Sequence, residues 1–400
     1  MHFDFPTTVA KEGLVEVLVP KFLSQPRKKS DCTPCRSPVF YNPIMELNRD
    51  ISVLAIQCYQ RSVRRELRIS EPMTGCGIRG IRYAAEIEGV ANVLLSDLDP
   101  LATDLARCNI EKNHLTNKVK VECAEANAML ALHGSPRKRF DVIDIDPFGS
   151  PSPYMDSAIR AISNRGFLAF TATDMAPLCG VRPLACLRKY GGRPLRTEYC
   201  HEIAVRLLVG CLAVSAARNE VGVEVVLSHS TDHYVRVFAI ARHGAEYANR
   251  GLAKMGYIQH CFNCLNRETV KRIKDLDAKC DICGNNFSLA GSLWLGELFD
   301  ERFSQGAMEE LEQRNLRNRN RIANLLGTIM EEAKGPPTYY VVDRICDKLE
   351  ILMPSLGRVL ETLEKRGYLV TPTHFRRTGF RTNAKTSEVM KAVGELSPEA

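Results

Sequence analysis

The sequence lacks the features that direct a protein into or across a membrane. No apolar run is expected to reach the roughly 18 residues that a membrane-spanning helix needs. The first residues, MHFDFPTTVAKEG, lack the basic and then apolar layout of a signal peptide. We therefore predict a cytoplasmic protein without a membrane contact.

The cysteines lack the regular pattern of a disulfide framework. The chain has 15 of them, an odd number scattered over 400 residues, which suits a reducing compartment where thiols stay free or bind a metal. Isolated ones such as Cys58, Cys200 and Cys211 are expected to be small core hydrophobes.

Length and composition allow two or three folded domains. A chain of 400 residues with 45% hydrophobic content can bury a sizeable core. A strong charge excess is absent: 54 basic and 47 acidic residues give a net charge of +7. This balance mildly favours a polyanionic partner such as nucleic acid.

Strand and helix patterns alternate between about residues 48 and 243. Five strand-like segments separated by helices predict a parallel sheet covered on both faces: LRISEPM, ANVLLSDLDP, KVKVECAEAN, FDVIDIDPF and GFLAFTATD. Two further strands, VGVEVVLSHS and HYVRVFAIARH, have only TD between them. Because so short a turn cannot hold a crossover, they must form an antiparallel hairpin.

The segment GCGIRG, residues 75–80, follows the first of these strands and precedes a helix. Gly75 and Gly77 would let the backbone approach an adenosine cofactor, and Asp97, about 20 residues on, would bind ribose hydroxyls. The pattern is compatible with binding of either a nicotinamide dinucleotide or S-adenosylmethionine. A tight turn that binds no ligand is a third interpretation.

Three features favour S-adenosylmethionine. The sheet ends in a hairpin, Arg79 replaces the small residue usual near a pyrophosphate, and Asp97 and Glu125 each follow a strand. S-adenosylmethionine has no phosphate, so we expect Arg79 to hold its methionine carboxylate, together with Arg49 if the first helix folds over the site.

The segment FDVIDIDPFGS carries the candidate catalytic group. Ligands bind outside the carboxyl ends of strands in an open α/β sheet, and Asp146 lies where the fourth strand leaves the core. Its carboxylate could orient an exocyclic amino group of a nucleobase and accept its proton, while Phe148 stacks on the base. The alternative is a helix cap and turn with Phe148 in the core. Asp144 is assigned to such a structural role.

Two C-x2-C pairs with 15 residues between them have the spacing of a structural zinc ribbon, in which four thiolates close the coordination sphere: Cys261, Cys264, Cys280 and Cys283. Another pair, Cys32 and Cys35, has no second pair nearby. A redox pair, a loop contact and an accidental arrangement stay open for it.

From about residue 336 the sequence predicts helix, turn, helix and strand, the plan of a winged helix, followed by the basic segment THFRRTGFRTNAK. Arg376, Arg377 and Arg381 are candidates for phosphate contacts. The alternative is an exposed basic wing without a partner.

The residues alone leave several functions open. The amino group could belong to guanine, to adenine N6 or to cytosine N4. A nicotinamide-dependent oxidoreductase is a second class, against which the terminal hairpin and the DPF segment argue. A non-catalytic RNA-binding protein with a vestigial cofactor site is a third.

In combination, the motifs resemble those of the tRNA (guanine-N2)-dimethyltransferases that act on guanosine 26, in their compact archaeal form. They are KEG near the start, FYNPIMELNRD, TGCGIRGIRY, SDLDP, DIDPFGSP, the four-cysteine segment and FRRTGFRTNA. The resemblance covers nearly the whole chain. It implies a Rossmann-like class I methyltransferase fold, S-adenosylmethionine as cofactor, tRNA as partner and transfer of two methyl groups in sequence. No stable protein partner is predicted.

The resemblance also implies individual roles. For the cofactor these are Arg49 and Arg79 at the methionine part, Asp97 at the ribose, and Glu125 with Ala126 by the adenine; for the reaction they are Asp146 as the catalytic group and Phe40 with Phe148 flanking the guanine. A base held between two aromatic rings must be extruded from its stack, which favours an unpaired or mismatched nucleotide.

We accordingly divide the chain into four parts. They are a substrate-facing segment (1–47), a methyltransferase domain (48–243), a zinc-ribbon region with a linker helix (244–335) and a winged-helix-like RNA-binding module (336–400).

Overall fold

The structure is a computed structural model that describes residues 3–21 and 37–396. Cys32 and Cys35 lie outside the described residues. The described chain begins with an antiparallel hairpin, β1 (Thr7–Glu12) and β2 (Val15–Pro20), and continues after residue 37 with helix α1 (Glu46–Val63). Alternate valines of β2 are buried, which attaches the hairpin to the main core.

A mixed sheet of seven strands forms the centre of the molecule. Its neighbours run β5-β4-β3-β6-β7-β9-β8. The first five strands are parallel, and the hairpin β8–β9 joins β7 in antiparallel pairing. The predicted α/β sheet with its terminal hairpin is therefore confirmed. The bounds are β3 (Leu67–Pro72), β4 (Val90–Asp97), β5 (Val119–Cys123), β6 (Phe140–Ile145), β7 (Ile162–Ala172), β8 (Val221–Thr231) and β9 (Tyr234–His243).

Helices connect these strands. Every residue of β6 is buried, as expected for a strand covered on both faces. The helices up to the terminal hairpin are α2 (Ile78–Glu86), α3 (Pro100–Lys112), α4 (Ala126–Leu132), α5 (Met155–Ala161), α6 (Met175–Leu178), α7 (Pro183–Tyr190) and α8 (Cys200–Ala217).

Helix α8 corrects one expectation from the sequence. By length and composition it could cross a membrane, with a mean hydropathy of 1.6 over 18 residues, so the expectation that no apolar run reaches this length is wrong. However, 67% of that window is buried inside the protein, where α8 packs against β8 and the later strand Ser288–Trp294. Its apolar surface is accounted for by these contacts.

A second, smaller sheet follows. Its order is β11-β10-β12 and all pairings are antiparallel. The elements of this region are α9 (Ala245–Leu252), β10 (Met255–His260), β11 (Arg267–Val270), β12 (Ser288–Trp294), α10 (Glu301–Glu312) and α11 (Arg319–Glu332).

The last region has a hydrophobic cluster of its own, distinct from the main core. Two helices and a strand lie where the sequence predicted them, whereas the final helix was not predicted. The elements are β13 (Tyr340–Val341), α12 (Val342–Leu349), α13 (Leu356–Lys365), β14 (Val370–Pro372), β15 (Gly379–Thr382) and α14 (Thr386–Gly394), with sheet order β13-β15-β14. The division into four parts stays a prediction.

Candidate active site at the carboxyl edge of the sheet

The candidate cofactor residues follow the carboxyl ends of neighbouring parallel strands. Gly75 and Gly77 follow β3, Asp97 ends β4, Glu125 follows β5 and Asp146 follows β6. Because the order is β5-β4-β3-β6, these residues lie along one edge of the sheet. That edge is where ligands bind in open α/β sheets.

The glycine loop requires glycine for two reasons. Gly75 has φ +55° and Gly77 has φ +84°, a region that residues with a side chain rarely adopt. A Cβ on Gly77 would also lie 3.1 Å from side-chain atoms of Ala106 and Ile81. Asp97 stabilises the loop, since its Oδ2 accepts a hydrogen bond from the Gly75 N–H at 2.8 Å.

Glu125 is the N-cap of helix α4. Its Oε2 accepts a hydrogen bond from the N–H of Ala128 at 2.9 Å, and its Oε1 accepts one from the Asn127 amide at 3.2 Å. Ala126, the first residue of the helix, is buried. The carboxylate of Glu125 thus lies at the rim and is already engaged in capping.

Arg49 lies on α1 and is buried against the N-terminal hairpin. Its Nε donates to the Glu12 carboxylate at 2.7 Å, and its Nη2 donates to the Asn42 carbonyl at 3.0 Å. Burial alone would raise the pKa of Glu12, but the attraction of Arg49 outweighs it and the pKa is lowered. The pair ties α1 to the hairpin.

Arg79 and Asp146, which the sequence assigned to cofactor and to catalysis, form an ion pair through Nη2 and Oδ2. Arg79 is buried and also donates to Ser52 Oγ at 3.1 Å. Burial would lower the pKa of Arg79, but the carboxylates of Asp146 and Asp144 raise it well above its ordinary value. The guanidinium therefore stays charged beside the candidate catalytic carboxylate.

Asp144 occupies the centre of a buried polar network. Two nitrogens of Arg236 donate to its carboxylate, at 2.8 and 2.6 Å, and Tyr83 donates through its hydroxyl. Burial would raise the pKa of Asp144, but Arg236 and Arg79 hold it below its ordinary value. Arg79 Nη1 lies 3.5 Å from Asp144 Oδ2, which connects this network to the ion pair between Arg79 and Asp146.

Three residues of the site were not predicted from the sequence: Arg236, Tyr83 and Glu71. Arg236 interrupts the apolar strand HYVRVFAIARH. Because arginine is rarely buried without a partner, its presence there is the only signal in the sequence of a buried acidic partner. Glu71 is the penultimate residue of β3 and accepts hydrogen bonds from Thr74 Oγ1 and the Gly80 N–H, both at 2.9 Å. Burial raises the pKa of Glu71 to about 8.

Phe40 and Phe148 lie together at the mouth of the site. Their ring centroids are 4.5 Å apart at an interplanar angle of 87°, an edge-to-face contact. Phe148 is 64% exposed, so it is not a core residue. The Phe40 carbonyl would lie 3.0 Å from a Cβ on Gly75, which brings the aromatic pair next to the glycine loop.

The loop after Asp146 is anchored to the next strand. The Gly149 N–H donates to Thr173 Oγ1 at 2.8 Å, and the Thr173 N–H donates to the Gly149 carbonyl at 2.9 Å. Gly149 has φ +83°. This reciprocal pair fixes the position of the turn that carries Phe148.

The four cysteines of the two C-x2-C pairs converge, with all sulfurs within 4.8 Å of one another: Cys261, Cys264, Cys280 and Cys283. Their loops flank the small sheet β11-β10-β12. Two polar side chains add N–H···S contacts, from Asn266 Nδ2 to Cys280 at 3.6 Å and from Asn285 Nδ2 to Cys283 at 3.5 Å.

One C-terminal arginine was misassigned from the sequence. Arg381 is buried, not exposed, and pairs with Glu202 and Glu332 at 3.0 and 2.6 Å. It is unavailable for a phosphate contact. Arg376 is half-exposed and pairs with Asp343 at 3.0 Å.

The model of the family described as "N2,N2-dimethylguanosine tRNA methyltransferase" matches residues 15–394. The chain belongs to this family. A family relative named tRNA (guanine(26)-N(2))-dimethyltransferase, from Methanothermobacter thermautotrophicus, is 41% identical over 388 residues, which are 97% of this chain and 99% of that protein. Its namesake from Methanosphaera stadtmanae is 39% identical over 394 residues, 98% of each chain.

A solved structure of the family agrees with the fold. It is the complex of Trm1 from Pyrococcus horikoshii with S-adenosyl-L-methionine, which matches with a TM-score of 0.85 at 33% identity over 96% of this chain and 99% of that chain. The seven-stranded mixed sheet is therefore an α/β methyltransferase fold, and the protein is a member of a family of tRNA-methylating enzymes.

Proposed function

We propose that this protein transfers methyl groups from S-adenosylmethionine to the N2 amino group of guanosine 26 in tRNA. The observation that carries the proposal is the convergence of Asp146, Phe148 and Phe40 beside the glycine loop, in a chain of this family. The names of the relatives supply the nucleotide, and the Trm1 complex supplies the donor. We also propose that the protein is cytoplasmic, as expected from its sequence.

The residues at the sheet edge suit S-adenosylmethionine. Each oxygen of Asp97 accepts one backbone N–H, from Gly75 and Asp99, and a carboxylate retains further acceptor capacity for ribose hydroxyls. Glu125 and Ala126 at the start of α4 would lie by the adenine, and Arg49 and Arg79 by the methionine part. When bound, the cofactor supplies a methyl group on a positively charged sulfur.

Asp146 would activate the amino group. The nitrogen lone pair of an exocyclic amine is delocalised into the ring, so the amine attacks poorly unless an acceptor holds its N–H. The Asp146 carboxylate would accept that N–H and take the proton as the new N–C bond forms and the S–C bond breaks. The product keeps one N–H, which allows a second transfer and then no third.

Phe40 and Phe148 would hold the guanine on its two faces. Stacking on an aromatic side chain is worth about 1–3 kcal/mol per base, and extrusion of a base from a helix costs a few kcal/mol. The exposure of Phe148 supports this role, because a ring that is 64% exposed contributes little to the core.

The four-cysteine cluster would bind a structural zinc ion. Tetrahedral coordination at about 2.3 Å requires sulfurs about 3.8 Å apart, and two of the pairs, Cys261 with Cys283 and Cys264 with Cys280, lie at 3.4 and 3.5 Å. The adjacent Arg267 donates to the Tyr339 carbonyl and to Glu198. A zinc ion would therefore order the loops that connect the central sheet to the winged-helix-like C-terminal module.

Helix α7 and the residues on either side of it offer a surface for tRNA phosphates. Four exposed arginines there have no ion-pair partner within 4.0 Å among residues 3–21 and 37–396: Arg182, Arg188, Arg193 and Arg196. The first of them, Arg182, lies nine residues after Thr173, which holds the catalytic loop. Guanidinium groups pair with phosphate in two-pronged hydrogen bonds.

The test is methylation of unmodified tRNA with labelled S-adenosylmethionine, followed by mass spectrometry of the nucleosides. We expect N2-methylguanosine first and N2,N2-dimethylguanosine later, with the label at position 26. Asp146→Asn should lower the single-turnover rate by about 10²–10⁴-fold, because the amide cannot accept the proton.

The matched control is Asp156→Asn, an exposed acid on α5 that pairs with Arg160 and accepts a hydrogen bond from Asn219. It should keep the wild-type rate. N6-methyladenosine or N4-methylcytosine as the product would overturn the choice of base, and tRNA binding without any methylated nucleoside would overturn the enzymatic role.

A further inference from the structure

A second group of metal-ligating side chains lies outside the site described above. Cys179 immediately follows α6, and Cys200 and His201 begin α8. The two sulfurs and a ring nitrogen of His201 all lie within 4.8 Å of one another. The fold brings these groups together from segments about 20 residues apart, where the sequence had predicted only a core role for Cys200.

The surroundings of the cluster suit a ligand histidine. His201 Nδ1 lies 3.4 Å from Ser230 Oγ, which in turn lies 3.4 Å from the Tyr234 carbonyl. Histidines that bind metals have their second ring nitrogen held by such a partner, which fixes the orientation of the ring. Cys179 is 8% exposed, so the cluster is sheltered on one side.

The donor set defines the chemistry of the ion. Thiolate and imidazole ligands favour zinc and related borderline divalent ions over magnesium or calcium. Two thiolates neutralise the two positive charges of the ion, so binding leaves no net charge in a half-buried place. Three protein ligands leave a fourth position open for water or another small ligand.

We propose that Cys179, Cys200 and His201 form a Cys2His site for a zinc-type divalent ion, separate from the four-cysteine cluster. Such an ion would link the residue after α6 to the start of α8. Since Thr173, which precedes α6, holds Gly149 of the catalytic loop, the ion would stabilise the segment on which that loop rests.

Cobalt titration of metal-free, reduced protein under anaerobic conditions tests the site. We expect the wild type to bind about two equivalents of Co²⁺ with thiolate-to-cobalt absorption, and Cys179→Ser and His201→Asn to bind about one. Cys211→Ser removes another half-buried thiol of the same helix α8 and should still bind about two.

The remaining equivalent also reports on folding. Because the four-cysteine cluster does not include Cys179, its cobalt spectrum in Cys179→Ser shows whether that variant is folded. A stoichiometry in Cys179→Ser equal to that of the wild type would overturn the proposal. A disulfide between Cys179 and Cys200 in freshly isolated protein, detected by mass spectrometry after thiol blocking, would also overturn it.

Discussion

At the scale of single residues, the floor of the site is stabilised by buried charges of opposite sign that neutralise each other. Asp144 and Arg236 are both fully buried and meet through two hydrogen bonds. Taking such charges out of water is costly, and the cost is recovered only while both partners are present. The pair therefore stabilises the floor of the site only as a unit.

We expect Asp144→Asn to lower the free energy of unfolding by about 3–5 kcal/mol, because it leaves the Arg236 guanidinium buried without its counter-charge. Urea titration measures the change. The control is Asp104→Asn, which removes a partly exposed pair with Arg107. It should change the free energy of unfolding by less than about 0.5 kcal/mol. Equal effects of the two substitutions would contradict the prediction.

Residue positions were predictable where the signal is local, and residue partners were not. Asp146 was placed at the strand end because the apolar run stops there. Its contact with Arg79 spans 67 residues, and the contact of Asp144 with Arg236 spans 92. These side chains come together only when the sheet has formed, so their spacing in the sequence does not predict the contacts.

At the scale of secondary-structure elements, the glycine loop depends on space as well as on backbone freedom. Gly77→Ala places a Cβ 3.1 Å from Ala106 and Ile81, whereas a Cβ on Gly191, which is also at positive φ, would have nothing within 4 Å. Each substitution should lower the free energy of unfolding by about 1 kcal/mol, because alanine is strained at a positive φ.

Only Gly77→Ala should also weaken S-adenosylmethionine binding, by about tenfold or more, because the loop must shift to relieve the contact. Isothermal titration of each variant with the donor measures this difference. If Gly191→Ala weakened binding equally, backbone strain alone would explain the loss and the packing argument would fail.

The exposed arginines in and around α7 predict how tRNA binding depends on salt concentration. If each guanidinium contacts a phosphate, then Arg188→Gln and Arg196→Gln should each reduce the slope of log K for tRNA against log salt by about 1. Filter binding over a range of potassium chloride measures the slope. Arg107→Gln, an exposed arginine paired with Asp104 on α3, should leave it unchanged.

Elements with a strong local period were predicted well. The short turn TD predicted the hairpin β8–β9, and the alternation of strands and helices predicted that the five earlier strands are parallel. The expectation that no apolar run is long enough to span a membrane failed at α8. The partners that cover this helix, β8 and β12, follow it in the chain. The N-terminal hairpin β1–β2 was not predicted.

At the scale of the whole molecule, a buried cluster joins three regions. Arg381 on β15 pairs with Glu202 on α8 and with Glu332 at the end of α11. From the sequence, Arg381 was a candidate for a phosphate contact in a basic tail. Its acidic partners lie 179 and 49 residues away, so the sequence gives no sign of the pairing. The C-terminal region is thereby attached to the central domain by charge as well as by packing.

This cluster predicts how stability depends on pH. Burial would raise the pKa of Glu332, but His374 and Arg381 lower it from 4.5 to about 2. A carboxyl with a depressed pKa contributes its stability fully above 4.5, and that contribution is lost as pH falls toward 2. Thermal unfolding should therefore show a loss of stability between about pH 4.5 and pH 2.

In Glu332→Gln the loss of stability between pH 4.5 and pH 2 should be smaller than in the wild type, because the amide does not titrate, while other carboxylates with lowered pKa values, such as Asp144, still contribute. Glu361→Gln is the control, since Glu361 pairs with Lys365 on the exposed face of α13. Its melting temperature should follow the wild-type curve. A wild-type curve that is flat between pH 4.5 and 2 would contradict the assignment.

The contact between Phe40 and Phe148 has a consequence for what the enzyme accepts. With the rings touching edge to face at 4.5 Å, there is no slot of the thickness of a purine between them until a purine arrives. The free energy needed to separate the two rings must come from contacts that the ligand makes outside its base. If the two rings hold the base as proposed, a free guanosine lacks the further contacts that a whole tRNA can make through its backbone. We therefore expect the protein to bind tRNA in preference to the free nucleoside.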